Sequence, residues 1–200
     1  MKKRFSCLGL TLALLCQFAS AAWAVTPTAY VKGILDQVIA IQTDPVQSGP
    51  QHREARAQAI RRVIQKSFDF PLMAKNSLGN AYGRLSASQR KDFLATFSYL
   101  FERSYTRLVL DFLKKENIKY DKEQKQGSGA RVNTRMIRTN ETIPVDYLVR
   151  PQGQDWLLYD VVVDGVSILD NYQRQFTQVI RNNSFDFLLK KMKTQMQALH

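Results

Sequence analysis

Two changes of apolar period constrain the fold of this chain more than any other feature. From Phe93 to Phe112, apolar residues recur at spacings of three and four: Phe93, Phe97, Leu100, Phe101, Tyr105, Leu108, Val109 and Phe112. That spacing predicts one long amphipathic helix, and Ser86-x-x-Gln89 supplies a capping box at its start. At Asn117 the period becomes two. Ile118 to Lys122 reads as an edge strand whose lysines discourage pairing with a further chain. Beyond the Gln126-Gly127-Ser128-Gly129 turn, Ala130, Val132, Thr134 and Met136 face one way while Arg131, Asn133 and Arg135 face the other. After Thr139-Asn140-Glu141, Ile143, Val145, Tyr147 and Val149 alternate with Thr142, Pro144, Asp146 and Arg150. Pro151-Gln152-Gly153 then leads into the run from Trp156 to Val163. Connections this short join only antiparallel neighbours, so the centre of the chain is a four-stranded meander with one apolar face.

The helical period returns at Ile168, giving one helix to Arg181 and another from Phe185 to about Gln197. Upstream of the sheet, Thr26-Pro27 opens a helix carrying Tyr30, Val31, Ile34, Leu35, Val38 and Ile41 on one face. A second helix follows from about His52 to Phe68, and Asp69-Phe70-Pro71 starts a short third that Gly79 can end. The expected class is α+β: an antiparallel meander packed between N- and C-terminal helices, all in one domain. Asp164-Gly165 is a strong hairpin pair by type, yet no alternating strand follows it. A bend fits better, with Ser167 capping the helix behind it.

The first residues carry an address. Met1-Lys2-Lys3-Arg4 is a basic start, Leu8 to Phe18 is apolar, and Ala22-Trp23-Ala24 is a small-x-small site. Residues 1–24 are therefore expected to be a cleaved secretory signal peptide, and 25–200 the working domain. The apolar run is too short for a permanent span. Leu14-Leu15 before Cys16 does not suit a lipoprotein site. Cleavage removes both cysteines, Cys7 and Cys16, which excludes disulfides and thiol chemistry from the product. It also takes Lys2, Lys3 and Arg4 away, lowering the formal net charge from +12 to +9. A basic exported protein meets anionic membrane surface or acidic partners; nucleic acid is not expected, since no recognition motif is present.

Covalent chemistry has little to work with. The two histidines, His52 and His200, lie far from any serine–aspartate arrangement in sequence, and neither a metal-ligand cluster nor a glycine-rich phosphate loop exists. No cofactor is expected. One enzymatic alternative remains, a buried aspartate and tyrosine working on an enolisable substrate, as in ketosteroid-isomerase-like proteins. Asp160, Asp146, Tyr147 and Tyr159 are its candidates. Strict alternation puts Asp146 on the polar face with Arg150, and Asp160 on the side of Trp156, Leu158 and Val162. The structural alternative for Asp160 is an acceptor for backbone amides or a helix arginine such as Arg174. It is the favoured one.

Three stretches together resemble one family: "DFPLMAKNSLGNAYGRLSASQRKDFLATFSYLFERSYTRLVL" (Asp69 to Leu110), "IPVDYLVR" (Ile143 to Arg150) and "WLLYDVVVDGVSILDNYQRQF" (Trp156 to Phe176). In this order, behind a signal peptide, they look like the MlaC family, or toluene-tolerance auxiliary component. Tyr82, Gln173 and Ser184 stand where the family often has tryptophan, arginine and glycine. The resemblance implies a non-enzymatic periplasmic carrier, a nuclear-transport-factor-like cone with phospholipid acyl chains in a deep apolar pocket and the headgroup outside. It implies exchange with an outer-membrane lipoprotein–porin complex and with an inner-membrane ABC transporter carrying a periplasmic substrate-binding ring. That exchange maintains outer-membrane lipid asymmetry. A hopanoid-associated branch leaves the cargo open, and a monomer is the simplest expectation.

On that implication the pocket walls can be named from the pattern. Val132, Met136, Val145 and Tyr147 on the inner sheet face oppose Phe97, Phe101 and Tyr105 on the long helix. Tyr159, Val161 and Val163 extend the wall, with Leu72, Met73, Val166 and Ile168 at the rim. Arg131, Arg135, Arg150, Lys190 and Lys191 are candidates for steering towards anionic headgroups or acidic partner surfaces. The same apolar residues also suit a filled core.

Overall fold

A computed structural model describes residues 25–113 and 116–198; the expected signal peptide lies outside the described residues. Helices α1 (Pro27–Thr43), α2 (Arg53–Ser67), α3 (Phe70–Leu78) and α4 (Ala87–Phe112) precede strands β1 (Asn117–Gln126), β2 (Gly129–Ile137), β3 (Thr142–Gln152), β4 (Asp155–Val163) and β5 (Val166–Ser167), and α5 (Ile168–Asn182) and α6 (Phe185–Gln197) follow. The sheet is antiparallel throughout, with spatial order β1-β2-β3-β4-β5.

The α+β reading agrees with this architecture, and the helix ends agree with their caps. Ser86 and Gln89 form the reciprocal box at the start of α4, and the hydroxyls of Thr26, Ser167 and Ser184 accept from the first turns of α1, α5 and α6. Each such cap contributes about 1 kcal/mol. Asp69 caps α3 through the Leu72 amide at 3.1 Å, and its other oxygen takes the Arg150 guanidinium. Its own amide donates to Leu158 O at 2.7 Å. One buried aspartate therefore ties α3 to β3 through its carboxylate and to β4 through its backbone amide.

One local expectation needs correction. Asp164-Gly165 is a hairpin turn after all, with φ of 49° and 77°, joining β4 to the two-residue strand β5. The sequence hides β5 because two residues cannot display alternation. The sheet is thus five-stranded rather than four-stranded, and Val166 lies in it, before the helix.

Register decides which residues face the helices. Val132 pairs with Tyr147, Thr134 with Val145, Met136 with Ile143, and Tyr147 with Val161. In β4 the partner of Leu148 is Asp160 while that of Val149 is Leu158, so Tyr159 is an extra residue. This bulge shifts parity. Leu158, Val161 and Val163 face inward with Val149, Tyr147 and Val145, while Asp160 and Val162 face outward with Leu148 and Asp146.

The long stripe of α4 is divided between two environments. Its first turns pack against the C-terminal helices: Phe97 meets Tyr172 edge-on at 5.5 Å, and Phe93 meets Phe176 at 5.8 Å and Phe185 at 6.0 Å. Further along, Tyr105 stacks on Phe101 at 5.5 Å and meets Phe68 of the α2–α3 junction at 5.3 Å. Beyond Tyr105, Leu108 and Phe112 are exposed.

Gly129 opens β2 where the backbones run closest. A Cβ there would sit 2.0 Å from the Val149 carbonyl oxygen. That oxygen belongs to a sheet strand and cannot move aside as a flexible side chain would. Gly129→Ala is expected to lower stability by about 1–3 kcal/mol, read as a shift in urea midpoint at unchanged slope.

Candidate functional site

Between α1, α2 and the last turns of α4 on one side and the inner sheet face on the other lies a cavity of about 380 Å³. It falls within the size range of small-molecule sites. α1 contributes Ile34, Leu35 and Val38; the α2 segment contributes Val63, Ile64 and Phe68; α4 and the residue after it contribute Tyr105, Leu108, Val109, Phe112 and Leu113. The sheet adds Met136, Ile143, Val145, Tyr147, Leu158, Val161 and Val163. Arg138 and Glu141, on the β2–β3 turn, are the charged members of this lining.

The cavity opens where the faces of α1, α2 and the end of α4 meet the sheet. The apolar stripe of α1 runs across it at four-residue steps, so Ile34 and Val38 reach the same wall. α5 and α6 fill the space beside the first half of α4 through Tyr172, Phe176 and Phe185, and among the described residues no ring of either helix is seen to meet its last turns.

Six of the residues named from the pattern are brought together here: Tyr105, Met136, Val145, Tyr147, Val161 and Val163. Eight lie elsewhere. Phe97 and Phe101 are buried in the packed half of the α4 stripe, and Met73 is core on α3 with Leu72 half-buried beside it. Val132 is on the inner face but wholly enclosed. Tyr159 is the bulge residue and joins Asp160 around a separate outer hollow. Val166 is 55% exposed, and Ile168 begins α5. The lining residues that pattern reading missed come in part from α1 and α2, whose stripes looked like ordinary helix-packing faces. Others come from the end of α4 and the residue after it (Leu108, Val109, Phe112 and Leu113), from Ile143 and Leu158 of the sheet, and from Arg138 and Glu141 of the β2–β3 turn.

The chemistry of the walls is passive. Burial pushes the phenols of Tyr105 and Tyr147 well above their ordinary value, so both stay protonated. Asp160 does not line the cavity. It accepts from the Val161 amide at 2.8 Å, the Ser167 hydroxyl at 2.5 Å and the Leu169 amide at 3.0 Å, at the start of α5. Burial raises its carboxyl above the usual aspartate range against the pull of those three donors, and nearby Asp170 adds to the rise. Among the described residues, no group of three or more histidine, cysteine or carboxylate side chains is placed to hold a metal ion.

Three of the five candidate steering cations are already engaged. Arg131 pairs with Asp146 at 3.2 Å, Arg135 with Asp121 at 2.7 Å, and Arg150 with Asp69. Arg135 holds the exposed Asp121 carboxyl below its ordinary range. Lys190 and Lys191 are exposed on α6.

Helices folded over one face of an antiparallel meander, with an apolar cavity kept open between the two layers, define a ligand-cavity domain of the α+β class. The chain belongs to the MlaC family, whose model, described as MlaC protein, matches residues 32–194. A stretch of 121 residues is 29% identical to the intermembrane phospholipid transport system binding protein MlaC of Haemophilus influenzae, covering 58% of this chain and 56% of that protein. The match thus spans little more than half of that relative's length. A phospholipid-binding protein from Ralstonia solanacearum, solved in complex with a phospholipid, superposes with a TM-score of 0.72 at 21% identity, covering 86% of this chain and 97% of that one. The two share a fold.

Proposed function

We propose that this protein is a periplasmic phospholipid carrier that holds acyl chains in the cavity between α1, α2, α4 and the sheet. The observation that carries this reading is the cavity itself: among the described residues its walls are apolar, with charged groups only at the β2–β3 turn. Hiding a methylene from water is worth about 0.8 kcal/mol, so two chains of about fifteen methylenes represent about 24 kcal/mol. A surface groove cannot supply that; an internal apolar cavity supplies it for as many methylenes as it encloses. The phospholipid transport system of the Haemophilus protein and the phospholipid in complex with the Ralstonia protein support the same cargo. The carrier works without covalent chemistry, passing lipid between an outer-membrane lipoprotein–porin complex and an inner-membrane ABC transporter with its substrate-binding ring. Outer-membrane lipid asymmetry is the purpose of that exchange.

Protein purified natively from the periplasm, extracted with organic solvent and analysed by mass spectrometry, is expected to release phospholipid in a fixed ratio to protein. A clean extract, together with no uptake from phospholipid vesicles, sinks the proposal. Hopanoid in place of phospholipid would keep the cavity and change the cargo.

A further inference from the structure

The cavity does not end at its apolar walls. Arg138 and Glu141 line it and also line an adjoining outer groove of about 1040 Å³, whose other walls include Arg53, Arg56, Asn117 and Asn140. The polar end of a molecule whose chains fill the cavity therefore emerges at this turn.

Among the described residues, Arg138 pairs with two carboxylates at that point, Glu141 and Glu116. Arg138 donates through Nη1 to Glu141 at 2.8 Å and through Nη2 to the Phe112 carbonyl at 2.6 Å. Its Nε lies 3.5 Å from a Glu116 carboxylate oxygen yet is buried without a hydrogen bond. The Glu116 ion pair is too long and poorly aligned to be a hydrogen bond, so a nearer acceptor would satisfy this N–H better. The Glu141 side chain is 53% exposed, and an ion pair so exposed is weak enough to exchange. The negative end of α4 does not repel an incoming anion, because the Gln42 amide covers the Val109, Leu110 and Leu113 carbonyls at 3.2, 3.3 and 2.9 Å. Arg53 and Arg56 are held by Asp111 and by the Gln47 and Gly49 carbonyls.

We propose that this turn is a headgroup site for a zwitterionic phospholipid, with the phosphodiester on Arg138 and the ammonium on Glu141. The inference rests on the carrier reading and specifies its cargo. A guanidinium offers a phosphate a forked set of donors, and Glu141, released from Arg138, becomes the acceptor for the amine. A net anionic headgroup gains the first contact and meets two carboxylates instead of the second. One guanidinium beside two carboxylates thus favours a headgroup that brings a cation with its phosphate.

The test uses the full chain loaded from mixed vesicles of dioleoyl phosphatidylethanolamine, dioleoyl phosphatidylglycerol and dioleoylglycerol, three lipids with the same acyl chains. Bound lipid is compared with vesicle composition by mass spectrometry. Phosphatidylethanolamine is expected to be enriched several-fold over phosphatidylglycerol, and both over dioleoylglycerol. Glu141→Gln is expected to remove the first preference, and Arg138→Gln to reduce the second by about tenfold. Glu141→Gln changes an exposed turn residue, so it keeps the test decisive if Arg138→Gln fails to fold. Bound lipid that mirrors the vesicles in the wild type, or an ethanolamine preference that survives Glu141→Gln, overturns the headgroup site and leaves the carrier reading standing. No uptake of any of the three overturns the carrier reading and the site with it. Millimolar inorganic phosphate is expected to leave the ratios unchanged; ratios that collapse in its presence assign Arg138 to free phosphate and overturn the site.

Discussion

Val145→Trp is expected to empty the protein of lipid without unfolding it. Val145 sits mid-strand in β3, paired with Thr134 on one side and Val163 on the other, and its side chain points into the cavity. An indole there occupies space that acyl chains need, and does so in a region where open volume already exists. Overpacking a filled core ordinarily costs about 1–3 kcal/mol; here the cavity absorbs the added ring, and the cost should fall at the low end. Copurifying phospholipid should drop by at least about tenfold, a difference of about 1.4 kcal/mol, while the urea midpoint moves little. Lipid content equal to wild type in a folded Val145→Trp protein would place the chains somewhere else. A charged replacement at the same position is a poorer probe, because burying an unpaired charge destabilises the fold itself.

Asp160→Asn is expected to do the reverse, weakening the fold while leaving lipid binding intact. The carboxylate accepts from three donors, two of them backbone amides, and an amide side chain offers one acceptor oxygen and an unneeded NH₂ in their place. A loss of about 1–3 kcal/mol follows. The pH dependence carries a second signature. Because burial raises the folded-state carboxyl above its ordinary value of 3.8, the folded state binds the proton more tightly than the unfolded one. That contribution to stability is complete below the ordinary value and is lost as pH rises through the raised one. Asp160→Asn removes it, so the gap between variant and wild type should narrow with rising pH across that window. A gap that widens there, or lipid uptake that fails in the folded variant, contradicts a framing role for Asp160.

The fold was more legible in this sequence than the site. Helix starts were readable because capping is local: Ser86 with Gln89, Thr26 with Pro27 and Ser167 each act within a few residues. The β-meander was readable because short turns leave antiparallel pairing as the geometric option. The cavity was only partly readable, since a residue facing empty space and a residue facing another side chain obey the same period. Phe97 and Tyr105 lie on one stripe of one helix, yet Phe97 meets α5 and Tyr105 meets the cavity. That division depends on where α5 ends up in space, and no local pattern encodes it. Tyr159 was misplaced for a different reason. Alternation assumes an unbroken count of two, and the bulge breaks the count where Phe68 and Asp69 approach β4. Arg138 and Glu141 were overlooked because a polar turn between strands is ordinary in sequence.

The extra residue in β4 has a chemical meaning for the pocket. With Leu158 inward, an uninterrupted strand would carry Asp160 and Val162 inward too, setting an ionisable carboxyl among the tyrosines. That is the equipment of a proton-transfer pocket. The single inserted position turns the carboxyl to the far side of the sheet, where it anchors a helix, and presents Val161 and Val163 in its stead. Acid–base capability and oil-like solvency are separated on this scaffold by one step of the backbone. Giving Tyr159 an ordinary place in the ladder, so that the bulge is lost with no residue removed, is the step that would exchange one for the other.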